Sequence, residues 1–161
     1  MERINIRSDS PDWRGAILSN LAPTPFIAGG IMFPSVESAL QGIKFADLEK
    51  RRQIFSLDGL GALREGRKIT RELSDGKASH IFWDGQIMEY NSIEHRLLIA
   101  LFIAEKVRQN PKVQEALLAT SGTFIYHEVG GENPRTSLPE KFYMEILISQ
   151  RKLLKRLISL K

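Results

Sequence analysis

Ser35-Val36-Glu37-Ser38-Ala39-Leu40-Gln41-Gly42-Ile43-Lys44-Phe45 is the segment around which this 161-residue chain organises. Pro34-Ser35 opens a helix with Ser35 as N-cap, its hydroxyl placed to accept a first-turn N–H. Val36, Leu40 and Ile43 make an apolar stripe that anchors the helix to a core. Glu37, Gln41 and Lys44 follow at i, i+4 and i+7, so all three project from one neighbouring face. Roughly 10 Å of axial rise separates Glu37 from Lys44, a gap that long side chains can close around a shared ligand. Gly42 in mid-helix costs about 1 kcal/mol relative to alanine, which close packing against that turn explains. By spacing alone, a solvated polar face accounts for Glu37, Gln41 and Lys44 as well as an active site does.

Upstream, Ile4 to Arg7 alternates like a short strand and Ser8 to Arg14 is a polar loop. Pro25 to Phe33 reads as two short strands around Gly29-Gly30, a hairpin signal. Downstream, Asp47 to Phe55 continues as a second helical piece, and Asp58 to Gly66 is a short Gly-punctuated helix. Thr70 to Ser79 is polar; His80 to Trp83 is a strand ending in an Asp84-Gly85 turn. Asn91 and Glu94 have capping-box spacing. The helix Ser92 to Gln109 is apolar all round, which predicts burial on most sides. Asn110-Pro111 restarts a helix with Asn110 as cap and Pro111 at the first position. Thr123 to Val129 alternates as a strand, and the loop Gly130 to Pro139 leads into a long terminal helix. The expectation is one α+β domain over 1–161, compact and mostly helical with a small sheet.

Hydrophobic residues make up 42% and charged residues 26%, ordinary for a globular domain of this length. The absence of cysteine excludes disulfides, thiolate metal sites and a cysteine nucleophile, and suits a reducing cytoplasm. No signal-peptide core follows Met1, and Leu97 to Ala104 is too short to span a bilayer, so a cytoplasmic chain without membrane contact is expected. The charge of +4 and pI near 9.5 mildly favour anionic partners. Lys141, Arg151, Lys152, Lys155, Arg156 and Lys161 cluster late, a pattern that usually marks a solvated helix face.

Several familiar sites are excluded. Gly59-Leu60-Gly61 starts like a dinucleotide fingerprint, but Arg64 holds the third glycine position and no strand precedes it. No phosphate-loop motif or nucleophile elbow occurs. His80, His95 and His127 are scattered, with no pair at metal-ligand spacing.

Leu18-Ser19-Asn20-Leu21, Pro25-Phe26, Gly30 and Ser35-x-Glu37-x-x-Leu40-Gln41-x-x-Lys44-Phe45 together resemble the opening signature of the NADAR family, which includes the YbiA-like proteins. The resemblance runs on in order through Gly59-x-x-Ala62-x-x-x-Gly66-Arg67, Trp83-x-Gly85 and Tyr90-x-Ser92-x-Glu94-His95. It continues at Lys106-x-x-Gln109-Asn110-Pro111, Ala116-Leu117-Leu118-Ala119-Thr120 and Thr136-Ser137-Leu138-Pro139, so it covers nearly the whole chain. Two departures mark a subgroup form. Ser38 stands where a histidine more commonly follows the helix glutamate, and Gly130 to Pro139 replaces a late Asp-x-x-Trp-Gly segment.

The resemblance implies a YbiA-like fold and hydrolysis of an N-glycosidic bond. Some members remove ADP-ribose from modified guanine in DNA; others act on phosphoribosylamino-pyrimidine intermediates of riboflavin synthesis. It implies Glu37 and Lys44 as catalytic positions and Asn20, Gln41 and Trp83 as substrate contacts, with Glu94 and Ser137 as further candidates. No cofactor or metal is called for, and the implied partner is an ADP-ribose-containing nucleotide or ADP-ribosylated DNA. Breaking a ribose C1–N bond builds positive charge on the sugar, which a carboxylate such as Glu37 stabilises. Lys44 would either tune Glu37 or attack C1 itself, and the residues leave both routes open. Trp83 is equally a stacking platform or a core tryptophan. Asn20 is equally a turn residue. Glu94 and His95 suit a helix start, and Thr136 and Ser137 an N-cap of the terminal helix. A binding module that holds ADP-ribose without turnover, and a nucleic-acid-associated protein using the basic terminal helix, are the competing readings.

Overall fold

The computed structural model describes residues 1–161. Acidic and hydroxyl caps punctuate the chain. Asp12, Ser35, Asp47, Asp58 and Ser92 each accept a backbone N–H in the first turn of a helix. They start α1 (Trp13–Leu18), α2 (Val36–Gly42), α3 (Leu48–Phe55), α4 (Gly59–Ser74) and α5 (Ile93–Gln109). Two more helices, α6 (Pro111–Ala119) and α7 (Glu140–Ser159), complete the helical set. Six short strands pair in three separate ribbons, giving the mostly helical α+β class that the sequence predicts.

Two ribbons are hairpins. β2 (Phe26–Ala28) and β3 (Ile31–Phe33) join through Gly29 and Gly30, both at positive φ, as the Gly-Gly signal predicts. β4 (His80–Trp83) turns through Asp84-Gly85, also at positive φ, into β5 (Gln86–Glu89), a strand that the sequence reading had not marked. The third ribbon pairs β1 (Arg3–Asn5) in parallel with β6 (Phe124–Tyr126), setting Ile4 opposite Ile125. This pairing ties the start of the chain to its last third.

One core of 24 buried residues draws on both hairpins, the β1–β6 ribbon and most of the helices. At its centre Phe26, Phe33 and Phe102 pack ring against ring, with Phe55 edge-on to Phe33. No helix is long and apolar enough to cross a membrane.

Three local expectations need correction. The helix after Asp58 does not stop at Gly66 but runs to Ser74, because Ala62, Gly66 and Leu73 keep a buried face through the polar stretch. Ser92, not Asn91, caps α5; Asn91 instead takes a left-handed turn with φ 65° that feeds the helix. α5 is buried on most sides, as expected, and Ile93, Leu97 and Leu101 leave one exposed stripe at i, i+4 and i+8. Asn110 precedes Pro111 at the start of α6, but its side chain caps nothing there. It donates instead to the carbonyls of Pro25 and Lys106, at 2.9 and 2.8 Å.

α2 lies against α3 and α4, and its approach depends on missing side chains. A Cβ on Gly42 would enter the Phe55 ring, and one on Gly66 would overlap the Gln41 amide. Gly42→Ala is therefore expected to lower stability by about 1–2 kcal/mol, the overpacking cost exceeding the gain in helix propensity. Urea unfolding of the two proteins checks this; an unchanged or higher midpoint for Gly42→Ala refutes the packing account.

Candidate functional site

A cleft of about 840 Å³ opens along the polar face of α2. Glu37, Gln41 and Lys44 form one wall, and Leu63, Thr70 and Arg71 of α4 face them. The loop between β6 and α7 covers the far side with Gly130, Gly131, Thr136 and Ser137, while Ser19, Asn20, His95 and Tyr143 close the floor. The helical stripe that spacing alone could not distinguish from a solvated face is thus roofed over. Gln41 is 4% exposed and Lys44 7%.

Gln41 is the pivot of the wall. Its Nε2 donates to a Glu37 carboxylate oxygen. Its Oε1 accepts from Lys44 Nζ and from Thr70 Oγ1, both at 3.1 Å, and Lys44 Nζ also donates to Thr70 Oγ1 at 2.7 Å. Lys44 makes no ion pair, so its charge is met by neutral oxygens and, across the amide, by Glu37. Burial lowers its pKa to about 8, against a smaller upward pull from Glu37. An amine of this kind is neutral for an appreciable fraction of the time near pH 7.5 and can act as a nucleophile.

Three consecutive carbonyls, of Leu18, Ser19 and Asn20, are each held by a donor, the last of them by the head of α2. Tyr143 Oη donates to Leu18 O at 2.8 Å, Lys106 Nζ to Ser19 O at 2.7 Å, and the Glu37 N–H to Asn20 O at 2.9 Å. Lys106 is 2% exposed with no acidic partner, and burial pulls its pKa down to about 7. Burial, and then the charge of Glu37, drive the Tyr143 phenol well above its usual range. Asn20 Oδ1 is buried in the cleft floor without a protein partner, an acceptor left for a donor on a bound molecule.

The structure brings Glu37, Lys44, Asn20, Gln41 and Ser137 to one cleft, but not Trp83 or Glu94. Trp83 shares the inward face of β4 with Ile81 and packs into the aromatic core, 5.1 Å from Phe102 and 6.0 Å from Phe33 by ring centroids. Glu94 points outward from the first turn of α5 and lies outside the cleft. Thr136 and Ser137 do not cap α7 either; the Glu140 N–H is taken by Glu132 Oε2 at 2.7 Å. Of the late basic cluster, Arg151 is committed to the end of α6, donating to Thr120 O and Oγ1.

Thr70, Lys106, His127 and Tyr143 were not singled out by the sequence as site residues. For Thr70 a signal existed, since it continues the Leu63-Gly66 face by one more turn. No group of three or more His, Cys, Asp or Glu side chains is placed to hold a metal ion.

Comparison with known proteins identifies the family and the fold. The family described as Bacteriophage protein GP30.3 matches residues 12–152. An uncharacterized 17.1 kDa protein of Enterobacteria phage T4, from the Gp30-rIII intergenic region, is 33% identical over 149 residues, 91% of this chain and 95% of that protein. The NMR structure of the E. coli protein YbiA superposes with a TM-score of 0.66 over 96% of this chain and 85% of its own, at 20% identity, a likeness of fold.

The two depressed lysines set the response of stability to pH. Between about pH 7 and 10 the unfolded chain holds protons on Lys44 and Lys106 that the native state has released. Stability therefore rises with pH across that window. Urea unfolding at pH 7 and pH 9 is expected to show the higher midpoint at pH 9, with a smaller difference in Lys44→Met/Lys106→Met; a fall from pH 7 to 9 in the wild type refutes the assignment.

Proposed function

The chain belongs to the bacteriophage GP30.3 family, a NADAR-type family with a YbiA-like fold, and from that footing we propose that it hydrolyses a ribose–nitrogen bond in an ADP-ribose-type substrate. The observation that carries the reading is the Glu37–Gln41–Lys44–Thr70 chain of hydrogen bonds on one wall of the cleft. It sets a carboxylate and a partly neutral amine on the same concave surface. The cleft volume of about 840 Å³ suits a dinucleotide-sized ligand. The substrate we favour is ADP-ribose linked to guanine in nucleic acid, acted on in the cytoplasm, in keeping with the mild positive charge of the chain.

In this mechanism the neutral Lys44 Nζ attacks C1 while the C1–N bond breaks, its electron pair moving to the base nitrogen. That nitrogen takes up the proton which the attacking amine gives up. Ring opening breaks the bond between C1 and the ring oxygen, the remaining amine proton passing to that oxygen, and yields a Schiff base, which water hydrolyses to free ADP-ribose and the original amine. The Glu37 carboxylate opposes the positive charge that builds on the sugar in the first step. Burial of the amine, rather than a neighbouring cation, is what lowers its pKa into the working range.

Glu37→Gln and Lys44→Ala are each expected to reduce release of ADP-ribose from ADP-ribosylated guanine at least about a hundredfold. Borohydride added during turnover is expected to leave an ADP-ribosyl adduct on Lys44, detected by peptide mass spectrometry. Turnover should climb with pH and level off above about 8, as Lys44 loses its proton. Wild-type rates in both variants, or turnover without any Lys44 adduct, defeat the proposal.

A further inference from the structure

Two histidines that the hydrolysis scheme leaves unused face the cleft, one from the first turn of α5 and one just beyond β6. Their hydrogen bonds fix opposite tautomers. His127 Nδ1 lies 2.6 Å from the Ile6 carbonyl oxygen. A carbonyl only accepts, so Nδ1 carries the hydrogen, and in the neutral ring Nε2 is a bare lone pair. His95 is the reverse: its Nδ1 accepts the Asn91 N–H at 3.0 Å, which puts the ring hydrogen on Nε2. The left-handed turn at Asn91 aims that N–H, and Ser92 Oγ holds the His95 backbone N–H at 3.1 Å.

Neither Nε2 forms a hydrogen bond within the protein, and both histidines line the cleft. His95 is close enough to Lys44 for the lysine charge to reinforce the effect of burial, which lowers its pKa to about 4 and keeps the ring neutral. His127 packs edge-on against Tyr143, centroids 5.3 Å apart, and Tyr143 in turn feels the charge of Glu37. The backbone N–H of His127 is tied to Glu140 Oε1 at 3.2 Å, which steadies the ring from the α7 side.

We infer that His127 Nε2 is the proton acceptor for the water that completes hydrolysis, and that His95 Nε2–H is a fixed hydrogen-bond donor to the substrate. This rests on the hydrolytic reading above. The water oxygen bonds to C1 of the Schiff base, the π pair of the C1–Nζ double bond moves onto nitrogen, and one water proton passes to His127 Nε2. The imidazolium hands that proton to Nζ, and the C1–Nζ bond breaks with its electron pair remaining on nitrogen. The C1 hydroxyl proton then passes by way of His127 to Nζ as the carbonyl forms, leaving a neutral amine and a neutral imidazole. His95 transfers no proton, since a neutral imidazole that gave one up would become an anion. It orients the ligand by donating to an acceptor oxygen or nitrogen.

The test uses the full chain labelled with nitrogen-15 histidine. Ring-nitrogen spectra near about pH 7.5 are expected to report His127 as the Nδ1–H form and His95 as the Nε2–H form. Saturating ADP-ribose should then shift both Nε2 signals. His127→Gln retains a donor for Ile6 but cannot accept the proton. It is expected to lower turnover about a hundredfold or more while leaving the Kd for ADP-ribose within about threefold. Its borohydride-trapped Lys44 adduct should increase, because the step after the Schiff base is the one impaired. A purely structural role for His127 would not raise that adduct. The inference is overturned by the Nε2–H form at His127, by Nε2 signals indifferent to ADP-ribose, or by wild-type turnover in His127→Gln. A wild-type chain that releases no ADP-ribose defeats the hydrolase reading instead, and the nitrogen spectra still decide the tautomers and their contact with the ligand.

Discussion

A buried ammonium without an ion pair is the constraint from which the site follows. Lys44 lies almost entirely out of water, and only Gln41 Oε1 and Thr70 Oγ1 meet its nitrogen. Desolvating a cation costs several kcal/mol unless polar atoms replace the lost water, so these two oxygens must stay where they are. Gln41 can hold its place because Gly66 has no side chain to displace the amide. Thr70 can reach it because α4 continues past Gly66 at the same face. Gly42, tight against Phe55, sets the spacing of α2 from α3. Three helices are thus fixed relative to one another by what one lysine requires.

The same economy of partners governs the floor. Lys106 is the second buried lysine, and its nitrogen donates to the Ser19 carbonyl. With Tyr143 on Leu18 and the Glu37 N–H on Asn20, it pins three consecutive peptide units beside the first turn of α2. The glutamate is therefore positioned through its backbone as well as through Gln41. A carboxylate held only by its own side-chain rotamers would sample several positions; this one is constrained at both ends, which is the preorganisation that charge stabilisation in a cleft depends on.

Much of this architecture was legible from the sequence, for reasons tied to local chemistry. Gly29-Gly30 and Asp84-Gly85 mark turns because they accept positive φ, and both turns form. Ser35, Asp47 and Asp58 mark helix starts because a short acceptor side chain serves the first-turn N–H groups. The position of Glu37 and Lys44 on one face follows from helical periodicity. What periodicity could not convey is coverage: whether that face meets water or another helix depends on α4, whose second half reads as polar loop until Ala62, Gly66 and Leu73 are seen to share one side. Trp83 failed as a cleft residue for the converse reason. Its neighbouring Asp-Gly turn made exposure plausible, but strand alternation with Ile81 turns the indole into the Phe33, Phe55 and Phe102 cluster. The apolar α5 is covered on most sides, as its composition predicts, and leaves only the stripe at Ile93, Leu97 and Leu101 exposed.

The residues hardest to find from sequence are those whose role is set by a single tertiary hydrogen bond. His95 and His127 have nothing in their flanking residues that marks one as a donor and the other as an acceptor. The difference arises only when Asn91 presents an N–H to one ring and Ile6 a carbonyl to the other. Ile6 reaches His127 because β1 and β6 lie parallel, so a contact between the two ends of the fold decides which nitrogen carries the proton. Helix spacing can place a carboxylate and an amine on one face; the protonation state of the groups around them is a property of the closed fold. That division explains why the acid of α2 and the amine just past its end can be read from a line of letters, while the histidines that complete the cleft cannot.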